Sequence, residues 1–448
     1  MTRQRIAIIG SGISGLTCAY LLSREHDITV FEANDYIGGH THTVPVETTY
    51  GSYEIDTGFI VCNDRNYPNF LSFMAKLGVA LQATEMSFSV RNDAENLEYN
   101  GHNLNTLFAQ RINLIRPKFI RLVTDILKFN KASKLAITSS DIIDVTLDEF
   151  LQAQNLGRGL RENYLLPMVA AIWSCSVAQA GQFPLSFFLR FFLNHGLLDI
   201  KNRPQWFVLK GGSHSYIKPM TARFGDRIRL NAQVHSVTRD DDSITITSAT
   251  GTEHFDEVIL ACHSDEALTL LQDASDLEQE VLSSMGYQEN SVILHTDDSF
   301  MPNRKLAWAS WNFLAGEGGD QDLPLVTYCM NILQGLNSPE PFLVSLNAKD
   351  KINPEKTLRE FTYAHPVYSA ESSVAQGRRT EICGHNRTHF CGAYWYNGFH
   401  EDGLKSAVAV AKTLNISIPW NSPTKGYSLD QPETAMPMDD IAGLLHDR

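Results

Sequence analysis

The amino-acid sequence predicts an α/β fold in which a strand–helix–strand unit at the start of the chain is completed by much later segments. Residues 5–9, 14–25 and 28–32 have the patterns of a buried strand, a helix and a second strand, with a glycine-rich turn after the first strand. Similar short elements recur late in the chain, as strands at 227–230, 233–239, 243–248, 257–262 and 390–393 and a helix at 403–414.

The middle of the chain has a different character. Helical patterns are predicted at 67–77, 108–129, 146–154 and 185–193, and further strands of a second sheet within 290–347. We therefore predict a discontinuous nucleotide-binding domain, an interleaved α+β substrate domain and a tail. Their boundaries are 1–65, 205–265 and 380–415 for the first, 66–204 and 266–379 for the second, and 416–448 for the tail.

Composition limits the classes of function. A chain of 448 residues is long enough for two or three domains, and its net charge of −14 argues against a general nucleic-acid binder. The seven cysteines include no C-x-x-C pair, which favours a reducing compartment. Cys175 could act as a nucleophile, but a packed, inert thiol is the favoured interpretation. The sequence shows no secretory leader and no long apolar run, so we expect a cytoplasmic protein.

The glycine-rich turn matches the dinucleotide-binding fingerprint G-x-G-x-x-G of Rossmann-type domains. Gly10 permits the tight turn, Gly12 lets the backbone approach a pyrophosphate, and Gly15 allows close packing of helix on strand. Glu32 ends the next strand, where its carboxylate can accept hydrogen bonds from ribose hydroxyls. An acidic residue there disfavours NADP, because it would repel the 2′-phosphate.

Three further features favour FAD over NAD. The pair Gly38-Gly39 follows Glu32 after a short loop. A mid-chain strand at Val234 and a buried strand that ends in Ala261 indicate that later segments complete the domain. A strand, Gly392 and a helix then come near the C-terminus. The sequence therefore predicts an FAD protein.

On these residues the chain resembles the flavin amine oxidase superfamily, which includes monoamine and polyamine oxidases, protoporphyrinogen oxidase and phytoene desaturases. The resemblance covers most of residues 4–414. Three segments also resemble a narrower subgroup, the flavoproteins encoded beside cyclopropane-fatty-acid synthases or fused to them. These segments are Ala171-Ile172-Trp173-Ser174, Trp308-Ala309-Ser310-Trp311-Asn312 and Gly398-Phe399-His400-Glu401-Asp402-Gly403.

The fingerprint and the resemblance together imply a set of FAD-contacting residues and no metal ligands. The closing helix is expected to present its N-terminus, at Asp402, Gly403 and Leu404, to the flavin pyrimidine ring. Besides these residues and Gly10, Gly12, Gly15 and Glu32, the expected contacts are Ile13, Ser14, Ala33, Gly39, His40, Thr41, Thr57, Gly58, Phe59, Val234, Ala261 and Gly392.

The chain departs from the family at two places. The arginine common after the Gly-Gly pair is His40, which opens a His-Thr-His-Thr stretch; polar contacts near the cofactor phosphates or ribityl chain are favoured there over a metal site. The lysine that reaches the flavin in amine oxidases aligns with Leu294, and the nearest basic residues are His295 and Lys305. A missing lysine argues against amine oxidation.

Phe399 and His400 are the catalytic candidates, because the resemblance places them on the substrate side of the flavin. His400 could donate or accept a proton near neutral pH. A structural hydrogen bond beside the cofactor explains this histidine equally well.

Two middle segments bear on the substrate. Residues 111–134 carry seven cations and one carboxylate, a net charge of +6, interleaved with apolar residues. Such a helix either touches an anionic membrane or packs on the core with a solvated face. The phenylalanine-rich segment 183–198 either lines a lipophilic tunnel or is a core helix.

The reaction that we expect is hydride abstraction from a C–H bond of a lipophilic substrate, a fatty acyl chain, by an FAD-dependent oxidoreductase of the desaturase or oxidase type. The first alternative is a flavin amine oxidase acting on a soluble amine. The second is a non-redox FAD protein, either an isomerase or hydratase or an accessory partner of a lipid methyltransferase. The partners expected are thus an acyl-lipid substrate, a membrane surface contacted through 111–134 and a lipid methyltransferase, with no nucleic acid.

Overall fold

A computed structural model describes residues 3–138, 145–173, 180–199, 201, 203–315 and 323–420. Ser174, Cys175 and the tail from 421 onward lie outside these ranges. The strands within them are β1 Arg5–Ile9, β2 Asp27–Phe31, β3 Thr43–Thr48, β4 Gly51–Asp56, β5 Val61–Asn63, β6 Leu81–Thr84, β7 Phe88–Asn92, β8 Leu97–Asn100, β9 Trp206–Leu209, β10 Ile228–Arg229, β11 Val234–Arg239, β12 Ile244–Ser248, β13 Gly251–Phe255, β14 Glu257–Leu260, β15 Gly286–His295, β16 Trp311–Ala315, β17 Leu325–Cys329, β18 Leu343–Leu346, β19 Thr357–Val367 and β20 Thr388–Phe390.

The α-helices of the same ranges lie between these strands. In chain order they are α1 Ile13–Leu22, α2 Pro68–Leu77, α3 Leu104–Leu107, α4 Pro117–Ala136, α5 Leu147–Ala153, α6 Arg158–Leu160, α7 Leu166–Trp173, α8 Leu185–Asn194, α9 Ile217–Thr221, α10 Ser264–Leu270, α11 Asp276–Ser283, α12 Met330–Leu333, α13 Ala370–Gly377, α14 Arg379–Ile382 and α15 His400–Thr413. None of the helices in the described part of the chain is both long and apolar enough to cross a membrane.

A five-stranded parallel sheet, in the order β10-β2-β1-β14-β20, collects strands from three distant parts of the sequence. On β1, Ile6 pairs with Ile28 on one side and with Glu257 on the other. Ile6 and Ile8 are fully buried, as the uninterrupted apolar run of a central parallel strand requires. The predicted α/β fold with a Rossmann-type domain is confirmed.

The second large sheet is mixed and has seven strands, in the order β19-β15-β18-β17-β16-β7-β8. The strands predicted within 290–347 are found here as β15 to β18, joined by strands from both sides of that range. In this sheet β7 and β16 pair in parallel, and all the other neighbouring strands pair antiparallel.

Three smaller sheets contain the remaining strands of the described residues. β11, β12 and β13 form an antiparallel meander whose first turn lies at Asp240–Asp242. β3 and β4 form a hairpin. In the third, β9 pairs with both β5 and β6, and this sheet combines segments assigned to different domains. The domain boundaries therefore stay a prediction.

The helix predicted at 108–129 is wrong in its limits. A short 3₁₀ turn covers Arg111–Leu114, and α4 begins only at Pro117 and continues to Ala136. Proline lacks an N–H and has a φ suited to the first helical position, and Arg116 before it is extended, with φ −85° and ψ 110°. The proline therefore starts the helix that was predicted to run through it.

The closing helix also starts earlier than predicted, at His400 instead of Gly403. The carboxylate of Asp402 accepts a hydrogen bond from the backbone N–H of Phe399 at 2.9 Å. A carboxylate that reaches back to the residue before the helix stabilises an N-terminus, so this contact adds a turn to α15.

Candidate functional site

The glycine turn between β1 and α1 is packed closely against the protein on one side. On its other side it faces open space. Gly10 has φ +104°, and a Cβ there would lie 2.9 Å from the carbonyl oxygen of Ala261. A Cβ on Gly15 would meet the carbonyl oxygen of Gly10 at 2.0 Å, whereas a Cβ on Gly12 would have no neighbour within 4 Å. Gly12 thus faces the space that a pyrophosphate needs at the start of α1.

Glu32 is buried directly after β2. Its carboxylate accepts hydrogen bonds from the backbone N–H of Ser11 at 2.9 Å, from the Ser11 hydroxyl at 2.5 Å and from the backbone N–H of Asn34 at 2.9 Å. Ser11 also accepts a hydrogen bond from the N–H of Gly38 at 3.2 Å. Ser11 therefore joins the fingerprint, the acidic residue and the Gly-Gly pair, and the sequence reasoning missed it because it occupies a variable position of the motif.

Two predicted segments run side by side next to this turn. The N–H of Phe59 donates to the carbonyl oxygen of His40 at 2.7 Å, and a Cβ on Gly58 would lie 2.1 Å from that oxygen. Gly39, which precedes His40, has φ +58° and approaches Gly12 closely. The predicted contacts 39–41 and 57–59 are thereby brought to one place.

His40 has a buried ring nitrogen, Nε2, without a hydrogen-bond partner among the described residues. Burial first, and then His365 and His263, lower the pKa of His40 to about 3, so the imidazole is neutral. A buried polar atom without a partner is costly. A polar group of a bound dinucleotide fits this position.

The N-terminus of α15 lies against the N-terminus of α1. The Ser14 hydroxyl donates to the carbonyl oxygen of Gly403 at 3.0 Å, and a Cβ on Gly403 would be 2.8 Å from a methyl group of Ile13. Leu404 is fully buried behind this contact. Two helix N-termini, each with a partial positive charge, therefore converge at the turn and favour an anionic ligand there.

The remaining predicted contacts lie around this junction at different depths. Ala33 is exposed just beyond Glu32. Val234 begins β11, and Ala261 follows β14 with its N–H donating to Ile9. Gly392 donates its N–H to the hydroxyl of Ser406 at 2.9 Å, which ties the end of β20 to α15.

His400 lies in a buried polar cluster with Thr41. Its Nε2 is 3.0 Å from the Thr41 hydroxyl and 3.1 Å from the Tyr216 hydroxyl, and its ring stacks on Phe59 at 3.6 Å between centroids. Burial, with a smaller contribution from His40, holds the pKa of His400 well below its usual value. These contacts support the structural interpretation of His400, and Tyr216 is a further member that the sequence did not indicate.

Glu401, next in sequence, caps a different helix. Its carboxylate accepts hydrogen bonds from the backbone N–H groups of Asn69 and Phe70, at 3.0 and 2.8 Å, in the first turn of α2. Burial raises the pKa of Glu401 to about 7, although these bonds favour the charged form. The carboxylates of Glu401 and Asp402 are thus both engaged with backbone N–H groups.

Phe399 points into an aromatic wall, a row of rings contributed by α7, α8, β9 and the start of α15. Phe399 stacks on Phe191 at 5.4 Å, and Phe191 stacks on His195 at 3.9 Å. We define the aromatic wall as the rings of Trp173, Phe187, Phe191, His195, Trp206 and Phe399.

The phenylalanine-rich helix α8 is a core helix, which is one of the two interpretations of this segment. Its residues Phe188, Leu189 and Phe192 are fully buried in a core cluster that includes Phe129 of α4. Phe191 belongs to the same cluster and also contacts Phe399; the lipophilic tunnel stays a prediction.

His195 is the one imidazole among the described residues of this wall. Its Nδ1 lies 3.0 Å from the carbonyl oxygen of Phe191. Because a carbonyl oxygen only accepts, Nδ1 carries the proton and Nε2 keeps a lone pair. Burial lowers the pKa of His195 to about 4, so the ring is neutral. In the sequence this histidine is one residue of the phenylalanine-rich segment 183–198, and nothing local distinguishes it.

Leu294 and its neighbours, the residues aligned with the amine oxidase lysine, place no cation there. Leu294 is fully buried in an apolar cluster with the β3–β4 hairpin. His295 turns to the other side of β15, where its Nε2 contacts the Ser345 hydroxyl at 2.7 Å, and burial lowers its pKa to about 4. Lys305 lies over the ring of Trp308. Neither basic residue replaces the lysine.

The two histidines of the His-Thr-His-Thr stretch both lie near Tyr363, but the hydrogen bond to its hydroxyl comes from His42. His42 stacks on Tyr36 at 4.4 Å and its Nδ1 contacts the Tyr363 hydroxyl at 2.8 Å. Within the described ranges, no group of three or more His, Cys, Asp and Glu side chains is arranged to hold a metal ion.

The parallel sheet, the glycine turn and the paired helix N-termini define a dinucleotide-binding protein of the Rossmann type. Residues 13–346 match the model of the flavin-containing amine oxidoreductase family. The chain belongs to this family, and FAD is thereby confirmed as its cofactor. The resemblance to the subgroup associated with cyclopropane-fatty-acid synthases stays a prediction.

Relatives and solved structures agree with this assignment. A putative flavin-containing monoamine oxidase of Mycobacterium tuberculosis is 26% identical over 267 residues, which cover 57% of this chain and 56% of the relative. Polyamine oxidase 4 of Oryza sativa subsp. japonica is 24% identical over 322 residues, which cover 66% of this chain and 60% of the relative. The matches thus span little more than half the length of these curated relatives.

Two solved structures have the same fold over 92% of the chain. The CLA-producing fatty acid isomerase from P. acnes superposes with a TM-score of 0.66 at 15% identity, over 99% of its own length. Cyclohexylamine oxidase from Brevibacterium oxydans gives 0.64 at 15% identity, over 100% of its length. At this identity the likeness concerns the fold alone.

Proposed function

We propose that this protein is an FAD-dependent oxidoreductase that oxidises a C–H bond of a lipophilic substrate, a fatty acyl chain. The observation that carries the proposal is the aromatic wall beside Phe399. Its rings bury apolar area, which is the main source of affinity for an alkyl chain. When bound, FAD supplies the redox chemistry, as the acceptor of the hydride that leaves the substrate carbon.

Residues of the chain bind the cofactor, orient the substrate and accept a proton. The N-termini of α1 and α15, joined at Ser14 and Gly403, hold the anionic parts of the cofactor. The aromatic wall orients the alkyl chain and excludes water. A desaturation also releases a proton from the neighbouring carbon, and we assign its acceptance to Nε2 of His195, because that atom carries a lone pair beside the wall.

Two observations support an apolar substrate over a soluble ammonium ion. The residue that we align with the amine oxidase lysine is Leu294, which is buried. The carboxylates nearest in sequence to Phe399, those of Glu401 and Asp402, accept hydrogen bonds from backbone N–H groups. An ammonium ion buried at the wall would thus find these two carboxylates already engaged, and they would compensate its desolvation less well.

Anaerobic mixing of the holoprotein with acyl lipids or with amines tests the proposal. We expect free fatty acids or acyl phospholipids to bleach the visible absorbance of the flavin, and a double bond to appear in the lipid. Rapid bleaching by amines but not by lipids would identify an amine oxidase and overturn the proposal. A rearranged lipid formed without bleaching would identify a non-redox isomerase, a reaction carried by the neighbour from P. acnes according to its name.

A further inference from the structure

The surface around α4 exposes an unusual number of large apolar side chains. Eleven such side chains are exposed in the described part of the chain, and seven of them lie within 32 residues: Leu104, Ile112, Leu114, Ile115, Ile120, Leu127 and Leu135. Single exposed apolar residues are ordinary on a protein surface, but a group of them marks an interaction site. We call this group, together with the cations beside it, the docking face.

Helix α4 has two apolar sides rather than one. Phe119, Leu122 and Phe129 are buried against the core. At about 100° per residue, Ile120 and Leu127 lie on the side opposite Leu122 and Phe129, and they are 43% and 48% exposed. The core therefore accounts for one side of the helix and leaves the other without a partner in the described residues.

Three of the exposed apolar residues share a groove with two of the cations. The groove has a volume of about 560 Å³ and is lined by Leu114, Ile115, Pro117, Ile120, Arg121, Thr124, Asp125 and Lys128. Apolar and cationic groups thus share one surface.

Part of the positive charge of this segment is already compensated within the protein. Lys134 pairs with Asp199 at 2.6 Å, and Arg121 and Lys128 both approach Asp125 at 3.6 and 3.5 Å. The other four cations contact no carboxylate among the described residues: Arg111, Arg116, Lys118 and Lys131. Of these four, Lys131 lies on the exposed apolar side of α4, four residues after Leu127. In a chain of net charge −14, this surface fits a partner that is anionic outside and apolar within.

We propose that the docking face binds the surface of a bilayer that contains anionic phospholipids. The side chains of Ile115, Ile120 and Leu127 enter the boundary between headgroups and acyl chains, and Lys128 and Lys131, on the same side of α4, contact the phosphates. This combination of a shallow apolar ridge and flanking cations is that of an interfacial helix that lies on a membrane. The inference is independent of the proposed reaction, because it concerns attachment and not catalysis.

Sedimentation of the full-length holoprotein with sucrose-loaded vesicles tests the inference. One set of vesicles is pure phosphatidylcholine, and the other is an equimolar mixture of phosphatidylcholine and phosphatidylglycerol. We expect binding to the mixed vesicles that weakens as salt is added, and at least about a tenfold weaker binding to phosphatidylcholine alone. Equal binding to both sets, or binding to neither, would overturn the proposal.

Matched variants separate the two kinds of contact. Ile115→Ser with Leu127→Ser removes apolar contacts, and its control is Val374→Ser, which changes an apolar side chain 65% exposed on α13. Lys128→Gln with Lys131→Gln removes two charges from the exposed side of α4, and its control is Lys76→Gln with Lys412→Gln on other exposed sites. Each docking-face variant should bind about tenfold more weakly to the mixed vesicles, and both controls should bind like the unmodified protein.

The variants also distinguish a membrane from a second copy of this chain. Analytical ultracentrifugation without vesicles should give the same sedimentation coefficient for the unmodified protein and for I115S/L127S. A dimer that dissociates in I115S/L127S, together with unchanged vesicle binding, would assign the face to self-association and overturn the proposal. The flavin content and circular dichroism of each variant report whether it has folded.

Discussion

The hydroxyl of Ser14 donates a hydrogen bond to the carbonyl oxygen of Gly403 at 3.0 Å, across 389 positions of sequence. This bond joins the N-terminus of α1 to that of α15, and a Cβ on Gly403 would approach a methyl group of Ile13 at 2.8 Å and the Ser14 hydroxyl at 2.9 Å. The separation of the two helix ends, and with it the shape of the cofactor site, is therefore set by a residue without a side chain.

Replacing Gly403 by alanine should separate the helix ends and weaken FAD binding by at least about tenfold, since convergent helix N-termini contribute through short-range dipole interactions. The dissociation constant, measured from flavin fluorescence on titration of the apoprotein, checks this. Gly377→Ala makes the same change in helix α13, where a Cβ meets nothing within 4 Å, and should leave binding unaltered. Equal affinity in G403A and G377A would contradict the expectation.

Gly12 and Gly15 should differ in what they affect, although both belong to the fingerprint. A Cβ on Gly12 enters open space, so Gly12→Ala should lower FAD affinity and leave the unfolding free energy of the apoprotein unchanged. A Cβ on Gly15 would meet a backbone oxygen at 2.0 Å, so Gly15→Ala should destabilise the apoprotein by about 1–3 kcal/mol. Urea unfolding of both apoproteins separates the cases, and equal destabilisation would show that Gly12 is structural.

The sequence determined the parts of the fold that local pattern controls. The fingerprint predicted β1, α1 and β2 within three residues at each boundary, because a buried parallel strand and a helix opened by glycine have distinct patterns. The closing helix was recognised for the same reason, whereas the closing strand lies earlier than predicted, at Thr388–Phe390 instead of 390–393. Pro117 was the missed local signal: a proline inside a helical pattern favours a helix start at that residue.

Contacts between distant segments could not be predicted in this way. Ser11, Tyr216 and His195 acquire their roles from partners that only the fold brings near, respectively Glu32, His400 and Phe399. Hydrophobic periodicity identified the apolar residues of α4, but it could not separate the buried side from the exposed side, because both sides carry leucine, isoleucine or phenylalanine.

Asp56 should make the protein less stable as the pH rises. Its side chain is fully buried; Oδ1 accepts hydrogen bonds from Thr43 and Ser213, while Oδ2 has no partner among the described residues. Burial raises the pKa of Asp56 from 3.8 to about 6. The folded state therefore binds more protons than the unfolded state between these values, and the free energy of unfolding falls with increasing pH, by at most about 3 kcal/mol.

Asp56→Asn keeps the acceptor oxygen and removes the charge, so it should be more stable than the unmodified protein above about pH 6 and nearly equal to it below about pH 4. Chemical unfolding across this range checks the sign. Asp241→Asn, at the exposed turn between β11 and β12, is the control and should show no such trend. A difference between D56N and the unmodified protein that is independent of pH would contradict the raised pKa.

Phe191 and Phe192 are neighbours on α8 with different surroundings. Both rings are buried in the same core cluster, but Phe191 also stacks on Phe399. Under the proposed function, Phe191→Leu should raise the KM for acyl lipids several-fold and also lower the melting temperature, because the ring contributes both to the aromatic wall and to the core. Phe192→Leu should lower the melting temperature and leave KM unchanged. An unchanged KM in F191L would show that the aromatic wall does not line the substrate site.

His195 should act through its neutral form. Since burial lowers its pKa to about 4 and its Nδ1 is bound to the carbonyl oxygen of Phe191, the lone pair of Nε2 is available at neutral pH and is lost only as the pH falls through about 4. His195→Phe fills the same place without a base, and we expect the rate constant for flavin reduction by an acyl lipid to fall by about 10²-fold, the usual contribution of a positioned base.

Two further readouts separate this role of His195 from a packing role. In stopped-flow reduction, the unmodified protein should lose rate as the pH falls from about 5 to about 4, and H195F should show no pH dependence in that range. His400→Asn provides the contrast, because His400 contacts Thr41 and Tyr216 instead of the wall, and it should keep the pH profile of the unmodified protein. If H195F retains the full rate, or H400N alone loses the pH dependence, the proton acceptor is not His195.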